Sequence, residues 1–205
     1  LDWSTYYGGS GSENRTFGCK VDGHSNVYLI GETNSSNNIS YNGYQMNYQT
    51  ETGANSNAFV VKFNMQGQRL WASYYGMNYR TIDAIIDKKN NIILVGTTGY
   101  TTINFSSNGH QNYYGGGTSD GLIVKFDSTG TRLWASYYGG DGSEGISSCA
   151  TDDSCSIYFA GGTNSSNNIA KNGYQDTLYP KYYTNGSLYM NNCLVKLNEY
   201  GIRQW

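Results

Sequence analysis

Only one proline and two histidines occur among the 205 residues of this chain, and charged side chains make up 14 per cent of it. That is well below the roughly 25 per cent usual for soluble domains. With a net charge of −2 there is no basic stripe to neutralise a phosphate backbone, so nucleic acid is not an expected partner. The longest apolar runs, such as Ile92 to Val95 and Phe59 to Val61, fall far short of the roughly 20 residues that cross a bilayer, and membrane insertion is not expected. No Cys-x-x-Cys pair offers zinc spacing. The two histidines, His24 in a turn and His110 in a polar stretch, have no partners at metal or triad spacing and read as surface residues. The first residues, "LDWSTYYGG", already belong to a repeat, so the lack of a signal peptide excludes nothing.

What the chain has instead is glycine (27), tyrosine (21) and many Asn, Ser and Thr residues, a composition that suits strands and turns rather than helices. It also repeats itself. "WASYYG" stands at 71–76 and again at 134–139, with "WSTYYG" at 3–8. Trp3, Trp71, Trp134 and Trp205 mark one point in successive copies, 68, 63 and 71 residues apart, and such a period outranks other sequence signals. The first copy continues "GCKVD", "NVYLIGET" and "AFVVKFNMQGQRLW"; the second, "DAIID", "NIILVGTT" and "GLIVKFDSTGTRLW"; the third, "SCATD", "SIYFAGGT" and "CLVKLNEYGIRQW".

Short runs rich in Val, Ile, Tyr and Phe between turn pairs read as four antiparallel strands per copy. Several strands are apolar at consecutive positions, which predicts sheets covered on both faces. A lone four-stranded sheet cannot achieve that, whereas sheets stacked radially can. The expected fold is therefore all-β, with β-propeller-type blades of four antiparallel strands. Residues 1–8 are expected to form the outer strand of a preceding blade, followed by repeats at 9–75, 76–138 and 139–205. The aromatic residues Trp3, Tyr6, Tyr7, Trp71, Tyr74, Tyr75, Trp134, Tyr137, Tyr138 and Trp205 would fill the wedge between blades.

The pattern W-A/S-S/T-Y-Y-G-G, C-x-x-D, N-V-Y-L-x-G-x-T, S-S-N-N-I, N-G-Y-Q and V-K-F-x-x-x-G-x-R-L-W resembles the SBBP-type β-propeller repeat of secreted and surface proteins, over nearly the whole chain. The resemblance implies an extracellular or cell-surface location and a seven-bladed type of propeller within larger multi-repeat proteins. It assigns no catalytic residue. The second copy departs from it after Gly76, where "MNYRTI" replaces the "GGSGSE" and "GGDGSE" turns. Three blades are too few for a ring of about four to eight, so further blades of the same polypeptide or identical subunits are the expected partners, in a closed ring or an open filament.

Six Asn-x-Ser/Thr sequons, at Asn14, Asn34, Asn38, Asn104, Asn164 and Asn185, are candidates for glycosylation, although a chain so rich in Asn and Ser generates sequons by chance. The turns at 8–14 and 139–145 lack the helix and lysine of a phosphate loop. No cofactor is expected; Glu13, Asp141 and Glu144 are weak candidates for calcium, and plain turns between blades are the favoured reading. Asp22, Asp87 and Asp152 recur at the end of the first strand, where an aspartate caps a tight turn; a cation site at a propeller mouth is the alternative. Cys19 and Cys149 fall where Ala84 stands in the second copy and read as small buried residues. Cys193, on the third strand, should lie two strand spacings (roughly 9–10 Å) from Cys149, too far for a bridge, and the pairing of Cys155 stays open.

The inserts at 34–56, 99–119 and 164–190 carry Tyr44, Tyr48, Tyr113, Tyr114, Tyr174, Tyr179, Tyr182 and Tyr183 among small polar residues. That composition suits an adaptable binding surface, and equally loops that cover blade edges. The expected function is a non-enzymatic structural or adhesive segment of a surface protein or filament. A carbohydrate-binding module using the insert tyrosines comes second, and a propeller hydrolase or lyase third.

Overall fold

The computed structural model describes residues 2–13, 15–50, 56–76, 79–99, 105–179 and 189–205. Among the described residues eleven strands form three antiparallel sheets and there is no helix. The first sheet runs β1 (Arg15–Val21), β2 (Val27–Thr33), β3 (Asn57–Phe63), β4 (Arg69–Tyr75), each strand paired with the next. The second repeats this order with β5 (Tyr79–Ile86), β6 (Ile92–Thr98), β7 (Asp120–Phe126) and β8 (Arg132–Tyr138). The third has three strands, β9 (Glu144–Thr151), β10 (Ile157–Thr163) and β11 (Asn191–Leu197).

The turns follow from local chemistry. Asp22 Oδ1 accepts the N–H groups of His24 and Asn26, Asp87 Oδ1 those of Lys89 and Asn91, and Asp152 Oδ1 those of Ser154 and Ser156. This is the capping role read from the sequence. The β3–β4 turn and its counterparts after β7 and β11 repeat the device with Asn64, Asp127 and Asn198, and close on Gly67, Gly130 and Gly201 at φ +76, +90 and +78. Those left-handed positions suit glycine.

The sheets pack face to face. β3 and β7 are buried at every position, as consecutive apolar residues predict. One core joins Tyr28, Val60 and Trp71 of the first sheet to Leu94, Val124 and Phe126 of the second. Another joins Ile93, Ile123 and Trp134 of the second to Phe159, Val195 and Leu197 of the third. A third core lies on the far face of the first sheet, where Phe59, Val61 and Tyr74 meet Ile39 and the partly buried Trp3 and Tyr7. Each fully buried Val, Leu, Ile or Phe contributes roughly 1.5–3 kcal/mol, so each sheet needs its neighbours. The first strands β1, β5 and β9 touch in succession.

Three expectations need correction. The third sheet lacks a fourth strand: among the described residues, pairing beyond β11 is limited to a bridge from Arg203 to Leu197 and two backbone bonds between Lys196 and residues 204–205. Residues 2–9 form no strand and lie instead along the far face of the first sheet. Cys19 is exposed, because the aromatic residues covering that face sit over β3 and β4 and leave β1 bare, while its counterpart Ala84 is sealed against the first sheet. All four cysteines are free. Cys193 and Cys149 lie on strands either side of β10, and Cys155 is buried in a turn at φ +59.

Candidate functional site: the seam between sheets

The repeated tryptophan makes the same contact three times. The indole N–H donates to a carbonyl in the β3–β4 type turn of the sheet ahead: Trp3 to Met65 (3.0 Å), Trp71 to Ser128 (3.1 Å), Trp134 to Glu199 (3.0 Å). Its ring lies on the turn glycine, so that a Cβ on Gly67, Gly130 or Gly201 would come within 2.7–2.8 Å of the ring. The second tyrosine of each hexapeptide completes the seam. The Tyr7, Tyr75 and Tyr138 hydroxyls donate to the carbonyls of Ile39, Phe105 and Ile169 in the insert ahead. Burial is the main cause that pushes the Tyr7 and Tyr138 phenols up to about 12, so they remain donors. The first tyrosine points the other way, into its own sheet's insert: Tyr74 donates to the Ser35 carbonyl at 2.8 Å.

Under the tryptophan lies a buried ion pair. Lys62 Nζ stands 3.0 Å from Asp22 Oδ2 and donates to the Ser128 carbonyl across the seam, with side chains 5 and 0 per cent exposed. Lys125 Nζ stands 2.8 Å from Asp87 Oδ2 and donates to Glu199, with 2 and 0 per cent exposure. Burial works against the charge on Asp22, but hydrogen bonds from Asn26 and Lys62 outweigh it and hold the carboxyl at about 2; Asp87 is lowered in the same way by Lys125 and Asn91. The third pair, Lys196 and Asp152, is 3.9 Å apart and partly open to solvent. The signal was present as a lysine at the same place in three apolar runs.

The Gly-rich turns pack on the inserts. Ser10, Gly11 and Ser12 donate backbone N–H groups to Asn37 Oδ1, Ser35 Oγ and Asn34 Oδ1, and Asp141, Gly142 and Ser143 do the same to Asn167, Ser165 and Asn164. Asn34 and Asn164 are thus turn anchors. Asn34 and Asn38 are exposed and Asn164 half-buried, while Asn14, Asn104 and Asn185 lie outside the described residues. Glu13 accepts from Thr33 and Ser35, and Glu144 from Thr163, Ser165 and Gly140. Asp141 accepts from Ser166. No group of three or more His, Cys, Asp or Glu side chains that could hold a metal gathers among the described residues.

One carboxyl was missed. Asp120, fully buried, leaves Oδ1 without a hydrogen-bond partner among the described residues. Burial first, and then the nearby Glu144 carboxylate, push it up to about 7 against the Gly115 N–H. Asn57 and Asn191 hold the corresponding position on β3 and β11, so nothing in the repeat pattern singled it out.

The insert tyrosines divide. Tyr44 packs on Tyr75 (6.1 Å) beneath the Arg132 guanidinium, Tyr48 on Tyr74 (5.8 Å) and Tyr114 on Tyr137 (6.0 Å). Tyr113, Tyr174 and Tyr179 are exposed, and Tyr182 and Tyr183 lie outside the described residues. His24 is exposed, but His110 is half-buried beside Tyr138. Burial and the charges of Arg203 and Lys171 lower its basicity, correcting its reading as a surface residue. Within the wedge set, Tyr6 is the exception. It is fully exposed where Tyr74 and Tyr137 are buried. Trp205 is half-buried against Tyr158 at 6.2 Å.

In comparisons with known proteins, no family model matches this chain and no curated protein matches it.

Proposed function

We propose that the chain is a run of β-propeller-type repeat modules, similar to the SBBP repeats, that serves outside the cell as a structural or adhesive element. One observation carries the reading: successive sheets are joined by one recurring seam of indole to turn carbonyl, phenol to insert carbonyl, and lysine sealed beneath. A seam repeated with the same donors and acceptors favours a stack of like modules over self-contained domains. On this reading the work is done by geometry, with rigid modules presenting polar inserts to neighbours, and no turnover is expected. The test is unfolding of the 205-residue chain in urea, followed by tryptophan fluorescence and circular dichroism. A single coincident transition is expected, and separate transitions for the three sheets would sink the proposal.

The exposed ring of Tyr113, at 78 per cent, favours a second reading as a carbohydrate-binding module, since an uncovered aromatic face can stack on a sugar. Saturable binding on a glycan array that Tyr113→Ala abolishes would replace the structural reading with this one.

A further inference from the structure

Three buried carboxylates of this chain are provided for. Lys62 stands against Asp22 and Lys125 against Asp87. Glu144 is satisfied by uncharged donors: its Oε1 accepts the Thr163 and Ser165 hydroxyls at 2.6 Å each, and its Oε2 the Gly140 N–H at 2.9 Å. Asp120 is different. It is completely buried, Oδ2 accepts the Gly115 N–H at 2.6 Å, and Oδ1 has no hydrogen-bond partner among the described residues. No lysine or arginine pairs with it there either.

The orphaned oxygen is aimed at the second acid. Asp120 Oδ1 and Glu144 Oε2 both lie within 2.5 Å of the place that a Cβ would take on Gly139, so only a glycine fits between them. Two oxygens that converge so closely can both be touched by one cation with metal–oxygen distances of about 2.3–2.6 Å. Backbone oxygens stand close by. Those of Gly139 and Gly140 are each 2.8 Å from the Cβ position of Gly115, the residue whose N–H holds Asp120.

The seam between the first two sheets has neither acid. Asn57 stands where Asp120 does, and it is fully satisfied: Oδ1 accepts from Gln45 and Gln49, and Nδ2 donates to the Gln49 carbonyl. Tyr79, paired with Thr98 as Glu144 is with Thr163, takes the place of the glutamate. A neutral side chain therefore suits this station, and the aspartate occurs at the seam where a second carboxylate meets it. Two acids at one buried point are costly unless a proton or a cation lies between them. A proton serves in acid, but from about pH 7 upward Asp120 gives it up, and a cation is then the remaining means of neutralising the pair.

We propose that Asp120 and Glu144 hold a calcium ion between the second and third sheets, with Asp120 Oδ1 and Glu144 Oε2 as its side-chain ligands. Carboxylates and carbonyls are the hard oxygen donors this ion takes, in an irregular and adaptable shell, whereas magnesium keeps several waters that a site with side chains from residues 0 and 2 per cent exposed does not house. The ion ties β7 to β9, two strands that touch across the seam. With two carboxylates the affinity falls in the weak range for calcium sites, about 10⁻⁴–10⁻³ M.

Terbium luminescence of the 205-residue chain at pH 8 tests the site, because Tyr114 lies near enough to feel the charge of both carboxylates and so can sensitise an ion held there. Sensitised emission that saturates at one ion per chain and is displaced by calcium is expected. Asp120→Asn and Glu144→Gln should each weaken terbium at least about tenfold, while Asp141→Asn, on the exposed turn beside the site, should leave it unchanged. Asp120→Asn carries the residue type already at positions 57 and 191, so its circular dichroism should match the parent's. In parallel, calcium at ten times its Kd should raise the parent's Tm by about 3–6 °C over EDTA and leave that of Asp120→Asn unmoved. Emission undiminished in Asp120→Asn overturns the proposal, as does loss of emission in Asp141→Asn alone, and so does a parent that neither sensitises terbium nor responds to calcium at pH 8. These readouts report the ion directly, and unfolding of the chain in separate steps would reject the stacked-module reading without touching them.

Discussion

The seam between the first two sheets and the outer face of the third are built from the same letters and differ in nearly every physical respect. At the seam, Trp71 is buried with its N–H satisfied, Lys62 is sealed against Asp22, and Val60 is inaccessible. On the outer face the corresponding Trp205 is half-buried, Lys196 sits 3.9 Å from Asp152 with its side chain 27 per cent exposed, and Leu194 faces solvent. The difference teaches that the repeat unit is not the carrier of stability. The joint between units is, because the indole and ammonium groups are satisfied by carbonyls that belong to the next sheet.

The comparison breaks most readily at the buried charges and rings. Lys125→Ala would strand the Asp87 carboxylate in the core and is expected to cost about 3–5 kcal/mol, and Trp71→Ala a similar amount. Lys196→Ala should stay within about 1 kcal/mol, as is usual for partly exposed pairs. Urea midpoints compare them, and equal losses on the two faces would erase the distinction.

The next largest effect is set by pH. Asp120 is raised from 3.8 to about 7 in the folded chain, so the folded state holds an extra proton between those values and stability falls as pH rises through that window. Asp120→Asn, the residue type already at positions 57 and 191, should remove this slope. It is expected to stabilise by up to about 4 kcal/mol at pH 8 and by little at pH 4, three pKa units corresponding to about that free energy. A parent whose Tm does not fall between pH 4 and 7 would remove the strained carboxyl from the account.

The smallest expected effect contrasts Gly109, packed against β8, with Gly173 of the third insert. Gly109→Ala drives a methyl toward the Ala135 carbonyl and should cost about 1–3 kcal/mol, while Gly173→Ala should leave the stability of the single chain unchanged. Equal Tm shifts would show that the two glycines are equally confined.

Much of the fold was legible because it is written three times. Consecutive apolar residues in "AFVVKF" and "GLIVKF" mark strands covered on both faces, and Asp22, Asp87 and Asp152 cap their turns as read. Repetition also concealed things. Tyr6 and Tyr74 are the same letter at the same station, but one is fully exposed and the other nearly inaccessible, because Tyr74 lies among Ile39, Tyr48 and Phe59 of its own sheet and insert while Tyr6 belongs to no sheet. The letters do not name the partners of Lys62 and Lys125, and only the fold places Asp22 and Asp87 beside them. Asp120 and Glu144 meet only because two different modules bring them together.

The indoles of Trp3, Trp71 and Trp134 each donate forward, to the sheet that follows in the chain. Any array extended by this contact therefore has polarity, with a leading end that offers donors and a trailing end that offers turn carbonyls. Growth at the two ends would proceed at unlike rates, and a cap that blocks one would leave the other free to elongate.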